Sequence, residues 1–249
     1  MILRRISDAF RRQDWFTVAV ETFIVVLGVF LGLQVNNWNA ARSDRAREAV
    51  YLVSLAEDLR SDINDLDEID RVSGLRMSAM AFLLEQATGA PLPNGFDSAR
   101  GRILIEASPA FGEGDPNSIG IAMFIFTPLD GNRLTYDTLI NTGGIGVLRD
   151  TALVREIQTY YANVDKVLHF EESLEANRVQ FVGAQQAAGI SPVDLTPPAQ
   201  LTEQFKANPE LLAGAKNYWL YTNRHLKLIR DLRAEADALA KKIEAEIKS

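Results

Sequence analysis

The chain has 249 residues, 47% of them hydrophobic, and 26 Lys and Arg against 33 Asp and Glu give a net charge of −7. It contains no Cys and only two His, His169 and His225, which excludes disulfides, thiolate metal sites and cysteine nucleophiles and leaves little room for histidine chemistry. The acidic balance argues against a nucleic-acid binder, whose electrostatic footprint is a basic face.

A mean hydropathy of −0.05 conceals one strongly apolar segment. From Trp15 to Val35 the chain reads WFTVAVETFIVVLGVFLGLQV, with Glu21 the only charge. As a helix these residues reach roughly 31 Å, the thickness of a bilayer hydrocarbon core. Trp15 and Trp38 flank the run as interfacial anchors, joined by Gln34, Asn36 and Asn37. A cleavable signal peptide fits poorly. Cutting after Ala40 or Ala41 would place Trp38 or Asn39 at the minus-three position, where a small residue is needed. The segment 15–38 is therefore expected to be an uncleaved transmembrane helix behind a short basic tail, residues 1–14. Arg4, Arg5, Arg11 and Arg12 on one flank against Arg42, Arg45 and Arg47 on the other favour a cytoplasmic N-terminus and a periplasmic C-terminal domain. The net charge divides accordingly into +2 for residues 1–14, −1 for 15–35 and −8 for 36–249.

Within the span, Glu21, Gly28 and Gly32 fall within about 40° on a helical wheel. Small residues permit close backbone approach between membrane helices, and a charge within a span faces a partner or water. Helix packing through this face competes with simple snorkelling of Glu21 and, more remotely, with an ion path.

Residues 39–249 are expected to form the extramembrane domain. Ala40 to about Gln86 predicts a helix continuous with the span, carrying the stripe Leu52, Leu55, Leu59, Ile63, Leu66, Ile69, Leu75, Met80 and Leu83. Its acids Glu57, Asp58, Asp62, Asp65, Asp67, Glu68 and Asp70 are expected to be a solvated face, with a cation or a basic partner as the alternative. Residues 88–149 form a partly irregular insert. Gly112, Gly114, Asp115, Pro116 and Asn117 make a loop; Ile119–Phe126 is a short strand or a segment tucked against the bundle; Thr135–Thr142 is a short helix ended by Gly143 and Gly144. Asp150 is an N-cap for a helix to about Ala188 with the stripe Leu153, Ile157, Tyr160, Val164, Val167, Leu174 and Phe181. Pro197 and Pro198 are expected to keep the next stretch extended. Asn208-Pro209-Glu210 then opens a third long helix to about Lys248, with Leu212, Ala215, Trp219, Leu226, Ile229, Ala236, Ile243 and Ile247 on its apolar side. The fold class is thus mainly all-α, with the three stripes buried against one another in an elongated antiparallel three-helix bundle.

Motifs for chemistry fail on inspection. Ser118 lacks the first glycine of a nucleophile elbow. Gly143-Gly144-Ile145-Gly146 lacks the Lys-Ser/Thr of a phosphate loop and, with Arg149 in the third small-residue place, the dinucleotide fingerprint. A calcium loop from Asp115 would put Phe126 where a bidentate acid belongs. No catalytic, metal or cofactor residue is assigned. The strongest enzymatic alternative draws on acids and tyrosines of residues 96–148.

The run from Glu21 into Leu33-Gln34-Val35-Asn36-Asn37-Trp38-Asn39 resembles the anchor of a widespread uncharacterised bacterial family of single-pass membrane proteins. The likeness continues through Tyr51-Leu52, Glu57-Asp58-Leu59, Thr135-Tyr136-Asp137-Thr138-Leu139-Ile140-Asn141-Thr142-Gly143 and Tyr160-Tyr161, to about residue 185. The resemblance implies a membrane anchor and a helical domain of unknown function, with no activity or cofactor. The partners expected are the lipid bilayer and a membrane protein, or self-association through the transmembrane helix, with no nucleic acid. The expected function is a non-enzymatic helical protein that binds or scaffolds a membrane-associated partner. The alternatives are a ligand-sensing bundle acting through a partner and an oligomeric ion conduit using Glu21.

Overall fold

The computed structural model of the chain describes residues 15–93, 105, 107–111 and 119–248, with side chains from Val20 onward. The basic tail, the loop from Gly112 to Ser118 and the side chain of Trp15 lie outside the described residues. Six α-helices are present among them and no strand: α1 (Trp15–Thr88), α2 (Ile119–Phe124), α3 (Leu134–Asn141), α4 (Thr151–Ala187), α5 (Pro198–Ala207) and α6 (Pro209–Lys248). Single 3-10 turns sit at Gly144–Val147 and Pro192–Asp194. The chain divides into two units, Met1–Val50 and Tyr51–Ser249.

The described part of the first unit is helix throughout, and every described residue from Val20 to Arg47 is exposed. Its apolar stretch is long and apolar enough to cross a membrane.

In the second unit the rest of α1 packs with α4 and α6. Both predicted caps of the long helices are present: Asp150 accepts from the N–H groups of Ala152 and Leu153 at 2.8 and 3.1 Å, and Asn208 from that of Leu211 at 3.0 Å. The apolar stripes are buried much as their 3.6-residue period predicts; Leu55, Leu66, Ile157, Leu174, Leu226 and Ile229 are completely enclosed. Burial of each such side chain is worth roughly 1.5–3 kcal/mol. Two stripe positions are corrected: Leu75 is 39% exposed and Ile247 40%. At 100° per residue Leu75 is displaced from Ile69 and Met80, and Arg76 takes its place in the core register.

Of the two alternatives for Ile119–Phe126 the structure shows the segment tucked against the bundle: it forms no strand, and α2 occupies most of it and buries Ile119, Ala122 and Met123. One further expectation is corrected. Pro197-Pro198 does not keep the chain extended, because Pro198 opens α5; a proline at the first helical position loses no hydrogen bond and has its φ preset.

Helix direction also differs from the expected antiparallel bundle. α6 runs against α1, since Arg60 pairs with Glu244 at 2.6 Å, Asp67 with Arg233 at 2.9 Å and Asp70 with Arg230 at 2.7 Å. It also runs against α4, where Lys242 meets Glu156 at 2.6 Å and Asn163 meets Glu235 at 2.7 Å. But α1 and α4 run parallel: Tyr160 reaches Asp62, and further along both helices Arg76 lies within electrostatic range of Glu171 and Arg178. The segment between α1 and α4 therefore has to return the length of the bundle. Residues 119–149 make that return, from Arg76 at Ile125 to Tyr51 beside Gly144. They form a fourth element, in which the non-helical stretch 125–133 joins α2 to α3.

Replacing Asp150 with Ala is expected to lower stability by about 1 kcal/mol through loss of the α4 cap, measured as a shift in the urea midpoint of the full chain in detergent.

Candidate functional site

A non-helical segment inside a bundle brings backbone N–H and C=O groups without helix partners, and leaving such a group unpaired when buried costs about 1–3 kcal/mol. Residues 125–133 meet this problem by drawing on polar side chains of the long helices, at two levels.

At the first level lie Asp58 and Asp62, one turn apart on α1 and 8% and 1% exposed. Asp58 accepts from Asn132 Nδ2 at 3.0 Å and from the Thr135 backbone N–H at 3.0 Å. Thr135 is the second residue of α3, whose preceding Arg133 makes no side-chain cap, so Asp58 caps α3 from another helix. Asp62 accepts from the Asn132 N–H at 2.8 Å and from the Tyr160 hydroxyl at 2.7 Å. All four carboxylate oxygens thus hold one donor each. Burial raises the Asp62 pKa above the ordinary value of 3.8, and the bonds from Tyr160 and Asn132 oppose that rise. Burial and then the nearby aspartates push the Tyr160 and Tyr161 hydroxyls up as well. The Tyr161 ring stacks on Tyr136 with centroids 4.1 Å apart, and Arg133 lies over both rings while its guanidinium pairs with Asp165. Gly131, at φ +62°, turns the segment where a Cβ would come within 3.2 Å of Val164 Cγ1; only glycine takes that turn without strain.

The second level is a polar layer across the bundle, dividing its core into two apolar clusters. Glu171 of α4 accepts from the Leu129 N–H with both oxygens at 3.1 Å and meets His225 Nε2 of α6 at 2.8 Å. Arg76 of α1, wholly enclosed, donates to the Ile125 carbonyl at 2.8 Å and to Ser73 Oγ at 3.1 Å. Its guanidinium lies over the Phe126 and Tyr218 rings at 5.5 and 5.4 Å, a cation–π arrangement that offsets part of its desolvation. Burial lowers the Arg76 pKa and raises that of Tyr218.

The expected solvated acid face holds for Glu57, Asp67 and Glu68, which are exposed, and is corrected at Asp58 and Asp62, which are buried. Asp58 and Asp62 point into the core, Asp67 and Asp70 bind arginines of α6, and Glu68 binds Arg71 at 2.6 Å. The basic partner considered for this face is the chain's own last helix. Sequence alone assigns no inward role to the buried carboxylates, nor to Arg76 or His225. Register would have marked them. Asp62 lies about 20° from Leu55 and 40° from Leu66 on the wheel, and Arg76 about 20° from Ile69.

The membrane-packing residues lie elsewhere. Glu21, Gly28 and Gly32 share one exposed face of α1 in the first unit, where a Cβ added at either glycine would meet nothing within 4 Å. Gln34, Asn36, Asn37 and Trp38 are exposed further along it. A cavity of about 440 Å³ is lined by Phe82, Phe111, Trp219, Leu92 and Glu85 among others and includes no residue of the two buried polar levels. No group of three metal-ligating acids or histidines occurs among the described residues.

Two outcomes follow from the buried charges. Because the folded chain holds the Asp62 proton more tightly than the unfolded one, the contribution of this group to stability is fully present below about pH 4 and is lost as pH rises through the raised folded-state pKa. D62N is therefore expected to flatten the decline in stability between pH 4 and 7, read from urea midpoints across that range. In a double-mutant cycle, E171A and H225A are each expected to cost roughly 2–4 kcal/mol, with the double variant falling short of their sum by about 1–3 kcal/mol.

Over residues 21–90 the chain is similar to a family of unknown function (DUF6090). The match takes in most of the apolar stretch and all of α1 beyond it, including Asp58, Asp62 and Arg76, and stops before the return segment. No curated protein and no solved structure matches the chain.

Proposed function

We propose that this chain is a non-enzymatic, single-pass protein of the bacterial inner membrane whose helical unit binds or scaffolds a membrane-associated partner, as an accessory subunit of a larger complex. The observation that carries the reading is the exposure of α1 on every side of its apolar stretch. The consecutive residues Phe23, Ile24, Val25 and Val26 are 64%, 60%, 65% and 59% exposed, and four residues in sequence sample all faces of a helix. A helix that is apolar all round requires a lipid or protein environment. The similarity to a family of unknown function over residues 21–90 fits an anchored helical protein.

A non-enzymatic role is supported by the use of the buried polar groups. The oxygens of Asp58, Asp62 and Glu171 hold the return segment and the neighbouring helices, which is structural work. A partner is supported by apolar side chains left outside the bundle: Ile121 and Phe124 of α2 are 40% and 37% exposed, and Val193 and Leu195 at the adjoining 3-10 turn 80% and 50%. The four arginines of the tail support a cytoplasmic N-terminus and a periplasmic helical unit.

The face of Glu21, Gly28 and Gly32 is the proposed contact within the membrane. Leucine at both glycines is expected to remove the larger species seen on sizing in mild detergent and to release co-purifying membrane proteins, with the helical content unchanged. An unaltered elution profile and unaltered co-purification would show that this face joins nothing.

A further inference from the structure

We propose that the face of α1 carrying Trp38, Arg42 and Arg45 holds the headgroup phosphate of an anionic phospholipid, an inference that rests on the membrane-span reading above. The helix is unbroken from Trp15 to Thr88, so its register carries through the end of the apolar stretch. At 100° per residue Trp38, Arg42 and Arg45 fall within about 60° of one another and extend about 10 Å along the axis. That distance is comparable with the polar headgroup layer. The Arg42 guanidinium lies 6.0 Å from the Trp38 ring centroid, and both arginines are exposed.

Charge separates this face from its opposite side. Arg47 lies about 180° from Trp38 and pairs with Asp44 at 3.6 Å, so that side neutralises itself. Arg42 and Arg45 have no acidic partner among the described residues, and they leave two uncompensated positive charges beside an aromatic ring suited to the interface. A guanidinium offers paired N–H donors that match phosphate oxygens. Zwitterionic headgroups carry a phosphate too, but the surplus of two charges selects a headgroup with net negative charge. The continuity of the face with the exposed apolar stretch, which ends at Val35 three residues before Trp38, favours a lipid phosphate over one in solution.

The test uses the full chain in phosphatidylcholine vesicles containing a trace of spin-labelled phosphatidylglycerol or spin-labelled phosphatidylcholine. The motionally restricted fraction of each label gives the lipid selectivity. Wild type is expected to prefer phosphatidylglycerol, the R42Q/R45Q double variant to lose that preference by about fivefold or more, and R47Q to retain it. Equal selectivity in wild type and the double variant overturns the proposal, as does an equal loss in R47Q, which would reduce the effect to bulk charge. Abolition of the preference by millimolar inorganic phosphate at constant ionic strength also overturns it, in favour of a soluble anion. Release of the chain from vesicles by alkaline carbonate would instead remove the membrane-span reading itself, and the proposal with it.

Discussion

The helical unit depends on keeping the backbone of a partly buried, non-helical segment hydrogen-bonded between its helices. Because α1 and α4 run parallel, the chain between them must travel back along the bundle, and residues 125–133 do so without forming a helix. Pro128 has no N–H to offer, and Gly131 turns through a positive φ. Their neighbours present amides and carbonyls to the interior. Asp58, Asp62, Glu171 and Arg76 are the groups that meet them, and each of these groups also engages a further helix, turn or aromatic ring. Losing one would leave a backbone group and a second side chain unpaired together, which is why buried charges that are costly in isolation are retained here.

This arrangement accounts for an otherwise puzzling composition. An acid-rich helix with a single arginine among its acids reads as a solvated surface. In the folded unit the same acids divide by register: Asp58 and Asp62, in the apolar stripe, turn inward to the return segment, Asp70 and Asp67 pair with Arg230 and Arg233 of α6, and Glu57 and Glu68 stay exposed. The surface pairs are worth little individually, but they mark the alignment of antiparallel helices. The inward acids decide where the fourth element lies.

Before Tyr51 the same helix answers to a different constraint. Here every described side chain from Val20 to Arg47 is exposed, the apolar ones included, and the polar groups concentrate at the end of the stretch in Gln34, Asn36, Asn37, Trp38 and the arginines beyond. The sequence alternates no apolar and polar faces between Phe23 and Leu33. That is the pattern expected when the surroundings, rather than a packed core, supply the apolar contact.

The helix-forming pattern of this protein was legible from its residues alone: the three long helices, the caps at Asp150 and Asn208, the short helix before Gly143 and the uninterrupted apolar stretch. These features follow from local chemistry, since capping, periodicity and glycine or proline punctuation act over a few residues. The parallel course of α1 and α4 was not legible, nor were the enclosure of Arg76 and His225 and the inward turn of Asp58 and Asp62. Hydrophobicity alone places a charged residue at the surface, and only partners across the bundle bring it inside. What the sequence by itself determined was the three long helices, the short helix before Gly143 and the apolar stretch that no face of α1 interrupts. Only the tertiary structure decided helix direction and the place of the buried charges, because both depend on the backbone of a segment that lies far from those charges along the chain.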